Sequence, residues 1–156
     1  MPRRGLLALS DQAGMYAALE QARQARTTGE VPVGAAVVQG GQVIAWAHNE
    51  TVMGRDLTRH AELLAIQRAL AATGSDRLDQ ASLYVTLEPC AQCAGAVVLA
   101  RVARVVFGAY DPKAGMAGSV GDLLRHPRLN HHPEVTGGVM EEECGALLRS
   151  FFESMR

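Results

Sequence analysis

An α/β fold, with one mixed sheet covered by helices on both faces, is what the order of hydrophobic patterns along these 156 residues predicts. Three observations lead there. An amphipathic helical stripe opens the chain, a glycine-joined pair of β-branched runs follows it, and helical and strand patterns then alternate to the end.

Taken in order, Ser10 reads as a helix cap, and Met15, Leu19 and Ala22 form a stripe that stops at Gly29. Val33 to Gln39 and Gln42 to Ala47 are short apolar runs joined by Gly40-Gly41, a hairpin signal. His60 to Ala72 places Ala61, Leu64, Ala65 and Ala69 at helical spacing and ends before Gly74. Ser82 to Leu87 reads as a strand, with Tyr84 and Val85 its best strand formers. Pro89 suits a helix entry, and Ala91 to Ala100 continues that helix. Val102 to Ala109 is a near-continuous apolar strand, expected to be buried on both faces. Gly108 to Pro133 is irregular, with one helical turn expected around Val120 to Leu124. Glu134 to Val139 is predicted as a last strand and Glu141 to Arg156 as a closing helix.

Length and the absence of any repeat or linker predict a single domain over residues 1–156. Apolar residues make up 48% of the chain but aromatics only 4%, so the core must be built mostly from Ala, Val and Leu. The apolar run Gly5 to Leu9, behind Arg3 and Arg4, is too short for a signal segment or a membrane span. A soluble, cytoplasmic protein is expected. Three cysteines, two of them in one Cys-x-x-Cys, make no disulfide framework. Net charge is −1, yet Arg101 to His132 holds five basic residues against two acids, with three histidines besides. Such a patch suits a phosphate backbone at one place; on charge alone a solvated Arg-rich face explains it as well.

The chemistry is concentrated in two blocks, His60-Ala61-Glu62 and Pro89-Cys90-Ala91-Gln92-Cys93. One imidazole and two thiols, with no obvious fourth ligand, describe a catalytic zinc site. Helix N-termini favour the thiolates that bind metal, and a spacing of three puts both sulfurs on one side of the helix. Taken alone, the Cys-x-x-Cys could equally be a redox pair or half of a structural site. His60 alone could be a cap, and Glu62 alone a first-turn acid favoured by the dipole. Residues two apart on a helix are rotated by roughly 200°, so His60 and Glu62 share a site only if His60 stands at the helix entry. Coincidence with Cys90 and Cys93 lifts both. Zinc would supply the Lewis acidity that makes water nucleophilic near neutral pH, and Glu62 would carry the protons. Cys144, alone on the last helix, reads as core.

The combined His-x-Glu and Pro-Cys-x-x-Cys pattern is that of zinc-dependent nucleoside and nucleobase deaminases. Beyond it, the chain resembles bacterial tRNA adenosine deaminases of the TadA type over nearly its whole length. The similar stretches are Glu30 to Gly34, Leu83 to Cys93, Arg104 to Ala109, Asp111-Pro112-Lys113 with Gly115, and Ala117 to Ser119. His126-Pro127 with Asn130-His131, and Leu147-Leu148 with Phe151-Phe152, match as well. The resemblance implies a three-layer α/β/α fold with a five-stranded mixed sheet, cytidine-deaminase-like. It implies a homodimer that converts the wobble adenosine of an arginine tRNA to inosine. It makes His60, Cys90 and Cys93 ligands of one zinc ion per subunit and Glu62 the proton shuttle. Asn49 becomes a nucleoside contact, and Val33 and Leu87 become pocket walls. Lys113, Asp122, His126 and Asn130 would meet the anticodon stem-loop, and Phe152 would close over it. Leu57 and Arg59 depart from the family's usual Pro and Ala, and Tyr110 stands at a variable position. Arg59 is expected to be either a phosphate contact or plain surface.

Three readings follow. The first is the tRNA deaminase. The second is a deaminase of a free base or nucleoside such as guanine, cytosine or cytidine, which would not require the basic, His-rich segment or the Phe-bearing helix. The third is a non-catalytic zinc module, against which Glu62 argues, since a structural site has no use for a carboxylate beside the metal.

Overall fold

A computed structural model describes residues 9–156 of the chain; the apolar run Gly5–Leu9 therefore lies, Leu9 apart, outside the described residues. Helix α1 spans Asp11–Thr27, and its cap is the expected one: the Ala13 backbone N–H donates to Ser10 Oγ at 3.1 Å. Strands β1 (Gly34–Gln39) and β2 (Gln42–His48) form the hairpin. Gly40 and Gly41 both hold positive φ, 62° and 77°, the backbone that a tight two-residue hairpin turn requires. Helix α2 (Ala61–Thr73) ends on Gly74 in the left-handed region. Strand β3 (Ala81–Leu87), helix α3 (Ala91–Ala100) and strand β4 (Arg104–Ala109) follow, then strand β5 (Glu134–Thr136) and helix α4 (Glu141–Ser154).

The sheet order is β2-β1-β3-β4-β5, antiparallel from β2 to β3 and parallel from β3 to β5. Alternate residues of the central strands feed two cores. Leu83, Val85, Val105 and Phe107 pack with Leu64, Ala65, Ala69, Ala94 and Val97, so α2 and α3 cover one face. Tyr84 and Val106 pack with Met15, Leu19 and Cys144, so α1 and α4 cover the other. The expected three-layer arrangement with five mixed strands is what forms, and Cys144 is buried in it. Among the described residues, no helix is long and apolar enough to cross a membrane.

Three local expectations need correction. No helical turn forms at Val120 to Leu124. Instead the Val120 N–H donates to Gly115 O and the Leu123 N–H to Met116 O, and Ala117 pairs with Asp122 as an isolated bridge. The last strand stops at Thr136 rather than Val139, because Gly137 lies close against the Phe107 ring and Gly138 turns the chain at φ 83°. Strand β4 begins at Arg104, two residues late, since Arg101 takes a left-handed φ of 56° and the Val102 N–H is spent on Val97 O at the end of α3.

One polar cluster ties α1 to the sheet. Arg104 donates to Asp11 through two nitrogens, at 2.5 and 2.8 Å, and the Tyr84 hydroxyl donates to the same carboxylate at 2.9 Å. The Arg104 guanidinium, opposed in part by burial, holds the Asp11 carboxyl below its ordinary value. Asp11→Asn is therefore expected to lower stability by about 1–2 kcal/mol at neutral pH. Because the folded-state value is depressed, that contribution is complete above the ordinary carboxylate value of 3.8 and fades as pH falls through the folded one. Urea unfolding of both proteins across that range checks it: the two midpoints should converge in acid.

Candidate active site

The site gathers where the end of β2, the start of β1 and the end of β3 meet the N-termini of α2 and α3. His60 is the N-cap of α2, with extended backbone (φ −79°, ψ 150°), and its side chain makes no cap bond. That job falls to Asn49, whose Oδ1 accepts from the Ala61 N–H at 2.9 Å. Freed from capping, the His60 ring faces the thiols, and standing at the helix entry it shares a site with Glu62. Cys90 is likewise the N-cap of α3 rather than part of its first turn, with Cys93 one turn in.

His60 Nδ1 lies 3.5 Å from Cys90 Sγ and 3.6 Å from Cys93 Sγ, and all three ligand atoms fall within 4.8 Å of one another. A tetrahedral zinc with ordinary Zn–N and Zn–S bonds needs N···S edges of about 3.6 Å. The donor set and its spacing thus fit such an ion, through Nδ1 and two sulfurs. The thiols differ electrically: the Cys93 S–H and then His60 pull Cys90 well below the ordinary thiol range, while the negative Cys90 and burial hold Cys93 up. His60 is raised chiefly by the neighbouring Cys90.

Glu62 is only 4% exposed, and burial pushes its carboxyl up to about 7, against opposing pulls from its own backbone N–H and His60. A carboxyl poised near neutral pH both takes and gives protons. It opens on a pocket of ≈ 330 Å³, within the range of small-molecule sites. Val33, Asn49 and Leu87 line that pocket with His60, Glu62 and Cys90. The other predicted contacts are not in its lining. Lys113 is exposed beside the lining residue Ala114. Asp122 is turned onto Arg125, accepting from its backbone N–H and, at 2.7 Å, from its guanidinium. His126 Nδ1 accepts from the Arg128 N–H, and Asn130 is exposed. Phe152 is 51% exposed, set edge-on to Phe151 on α4. Arg59 is more than plain surface: its Nη2 pairs with Glu50 at 2.6 Å.

Two buried carboxylates escaped the reading of the sequence. Glu30 accepts from Thr51 Oγ1 and the backbone N–H groups of Val52 and Met53, holding the loop that leads to His60. Glu88 accepts from the N–H groups of Asp111, Ala117 and Ser119 and from the Ser119 hydroxyl, holding the loop that brings Asp111 and Ala114 to the pocket. The available signal was an acid placed against an apolar strand end and a proline, Glu30-Val31-Pro32 and Glu88-Pro89-Cys90.

A family model described as MafB19-like deaminase matches residues 9–156. The tRNA-specific adenosine deaminase of Bacillus subtilis (strain 168) is 51% identical over 146 residues, spanning 94% of this chain and 91% of its own. A solved structure from a study of A-to-I editing by tRNA:A34 deaminases at the wobble position superposes with a TM-score of 0.84. It is 43% identical and covers 87% of this chain and 99% of that one. The guanine deaminase from Nitrosomonas europaea has a TM-score of 0.80 at 27% identity, covering 92% of this chain and 86% of its own.

Proposed function

The chain belongs to the MafB19-like deaminases, and among them to the tRNA-specific adenosine deaminases; from that premise we propose that it hydrolyses the wobble adenosine, A34, of an arginine tRNA to inosine. The observation that carries the chemistry is the His60, Cys90 and Cys93 cluster at zinc-shell spacing, with the buried Glu62 carboxyl in the adjoining pocket. The substrate comes from the relatives, supported by the basic segment after Arg101 and the half-exposed Phe152.

His60 Nδ1 and the two thiolates would hold one zinc ion per subunit. Bound there, zinc supplies the Lewis acidity that lets water ionise near neutral pH. Glu62 takes the proton that water loses on attacking the amino-bearing carbon of the adenine ring. It passes that proton to the adjacent ring nitrogen, then carries the proton of the newly added hydroxyl to the amino group, which leaves as ammonia as the carbon–oxygen bond becomes the carbonyl of inosine. Val33 and Leu87 sandwich the base and exclude bulk water. Asn49, its carbonyl oxygen already bonded to α2, offers its amide N–H₂ to the nucleoside. Lys113, Asp122, His126, Asn130 and Phe152 contact the splayed anticodon stem-loop around that base. The working unit is one deaminase domain over residues 1–156, paired as a homodimer in the cytoplasm.

The likeness to a guanine deaminase gives the competing reading its place. Incubating the protein separately with an anticodon stem-loop bearing wobble adenosine, and with free adenosine, cytidine and guanine, decides between them. Inosine in the RNA and no turnover of the free compounds is expected. Turnover of guanine or cytidine, with the RNA untouched, would overturn the reading.

A further inference from the structure

Glu88 shares the pocket with Glu62, yet its bonding gives it a different task. Oε1 accepts from the Asp111 N–H at 3.0 Å and from the Ser119 hydroxyl, and Oε2 accepts from the Ala117 and Ser119 N–H groups, both at 3.0 Å. Four donors converge on a carboxylate that is 2% exposed. Burial alone would raise its pKa, but Ser119, Asp111 and Ala117 together hold it below the ordinary range. A carboxylate so saturated stays ionised and has no free oxygen with which to shuttle a proton.

What it organises is the loop from Asp111 to Ser119. Little else of this loop is apolar and buried beyond Ala117. Gly115 packs so closely on the Glu88 carboxylate that a Cβ there would overlap it. The loop is also stitched to the metal-bearing turn, with the Met116 N–H donating to Pro89 O at 2.8 Å. Glu88 itself is spliced into β4 through its N–H to Ala109 O at 2.8 Å. Two loop residues, Asp111 and Ala114, face the pocket, with Lys113 between them.

We infer that Glu88 is a positioning residue for the RNA substrate: its buried carboxylate clamps the 111–119 loop to the Pro89-Cys90 turn and so fixes one wall of the pocket against the wobble nucleoside. This rests on the RNA reading above and adds to it the group that shapes the RNA side of the pocket.

Glu88→Gln keeps the shape but must aim an amide N–H₂ at one pair of donors. Set against the Asp111 N–H or against the Ala117 and Ser119 N–H groups, that N–H₂ costs one or two of the four bonds, and the loop loosens. The expected result is a KM for the stem-loop raised about tenfold or more, with kcat changed by less than about threefold and the zinc content unchanged. Amide hydrogen exchange should quicken at residues 111–119 and stay slow in α2 and α3. Ser119→Ala, which removes one of the four donors, should move KM and exchange the same way by less, and it decides the matter alone if Glu88→Gln does not fold. KM unchanged in both variants, or a fall in kcat and zinc content with KM unchanged, overturns the inference. A wild-type protein inert on the stem-loop sinks the RNA reading instead, and exchange at 111–119 then still decides whether Glu88 holds the loop.

Discussion

Glutamine in place of Glu62 is expected to cut inosine formation by about a thousandfold or more while the metal stays bound, because proton transfer by a positioned carboxyl contributes about 10²–10⁴ to a rate and two transfers here use the same group. The side chain is 4% exposed, so no bulk water stands in for it. Its carboxyl, lifted to about 7 by burial, is matched to both taking and giving a proton. Glutamine preserves the volume and removes the titration, and His60, Cys90 and Cys93 keep their places. Rate and zinc content measured on the same preparation check this. A variant retaining a tenth of wild-type activity would remove Glu62 from the mechanism.

Cys90→Ser should do the opposite to the metal. Serine is nearly isosteric but offers a hard hydroxyl instead of a soft thiolate, and it leaves His60 and Cys93 as the only strong donors. Disturbing a group one shell away from a metal costs roughly 10–100-fold in affinity, so loss of a direct ligand should cost more than 100-fold. Zinc then falls well below one per chain, and deamination falls with it. Elemental analysis after dialysis against a mild chelator is the measurement. Full zinc retention would mean that the 3.5 Å approach of Cys90 Sγ to His60 Nδ1 is not a ligand contact.

Much of this was legible in the chain because its signals are local. The His60 and Cys90 blocks sit at helix entries, where sequence patterns change sharply, and the helix-rotation argument required His60 at the helix entry, where it is the N-cap. The hairpin was written in Gly40-Gly41, a strand in the run at Tyr84 and Val85, and a two-faced strand in the run at Val105. What could not be read depends on partners distant in sequence. Glu88 and Glu30 look like ordinary acids beside prolines until the folded chain brings the N–H groups of 111–119 and 51–53 onto them. Val120 to Leu124 mimics a helical turn by spacing, but the glycines at 115, 118 and 121 let the backbone fold back on Gly115 and Met116 instead. Arg59 pairs with Glu50, nine residues away across a turn, which no periodicity reveals. Lys113, Asp122, His126, Asn130 and Phe152 stand outside the pocket lining, and their proposed roles depend on an RNA that spans the distance.

The chemistry proposed for the Glu62 pocket is hydrolysis of one RNA adenosine. The most direct measurement is mass analysis of the nucleosides from a wobble-adenosine stem-loop incubated with the zinc-loaded protein in ¹⁸O-labelled water. Inosine is expected at the wobble position alone, carrying one labelled oxygen on the carbon that lost its amino group. Unlabelled inosine, or adenosine left intact by the zinc-loaded protein, would contradict it.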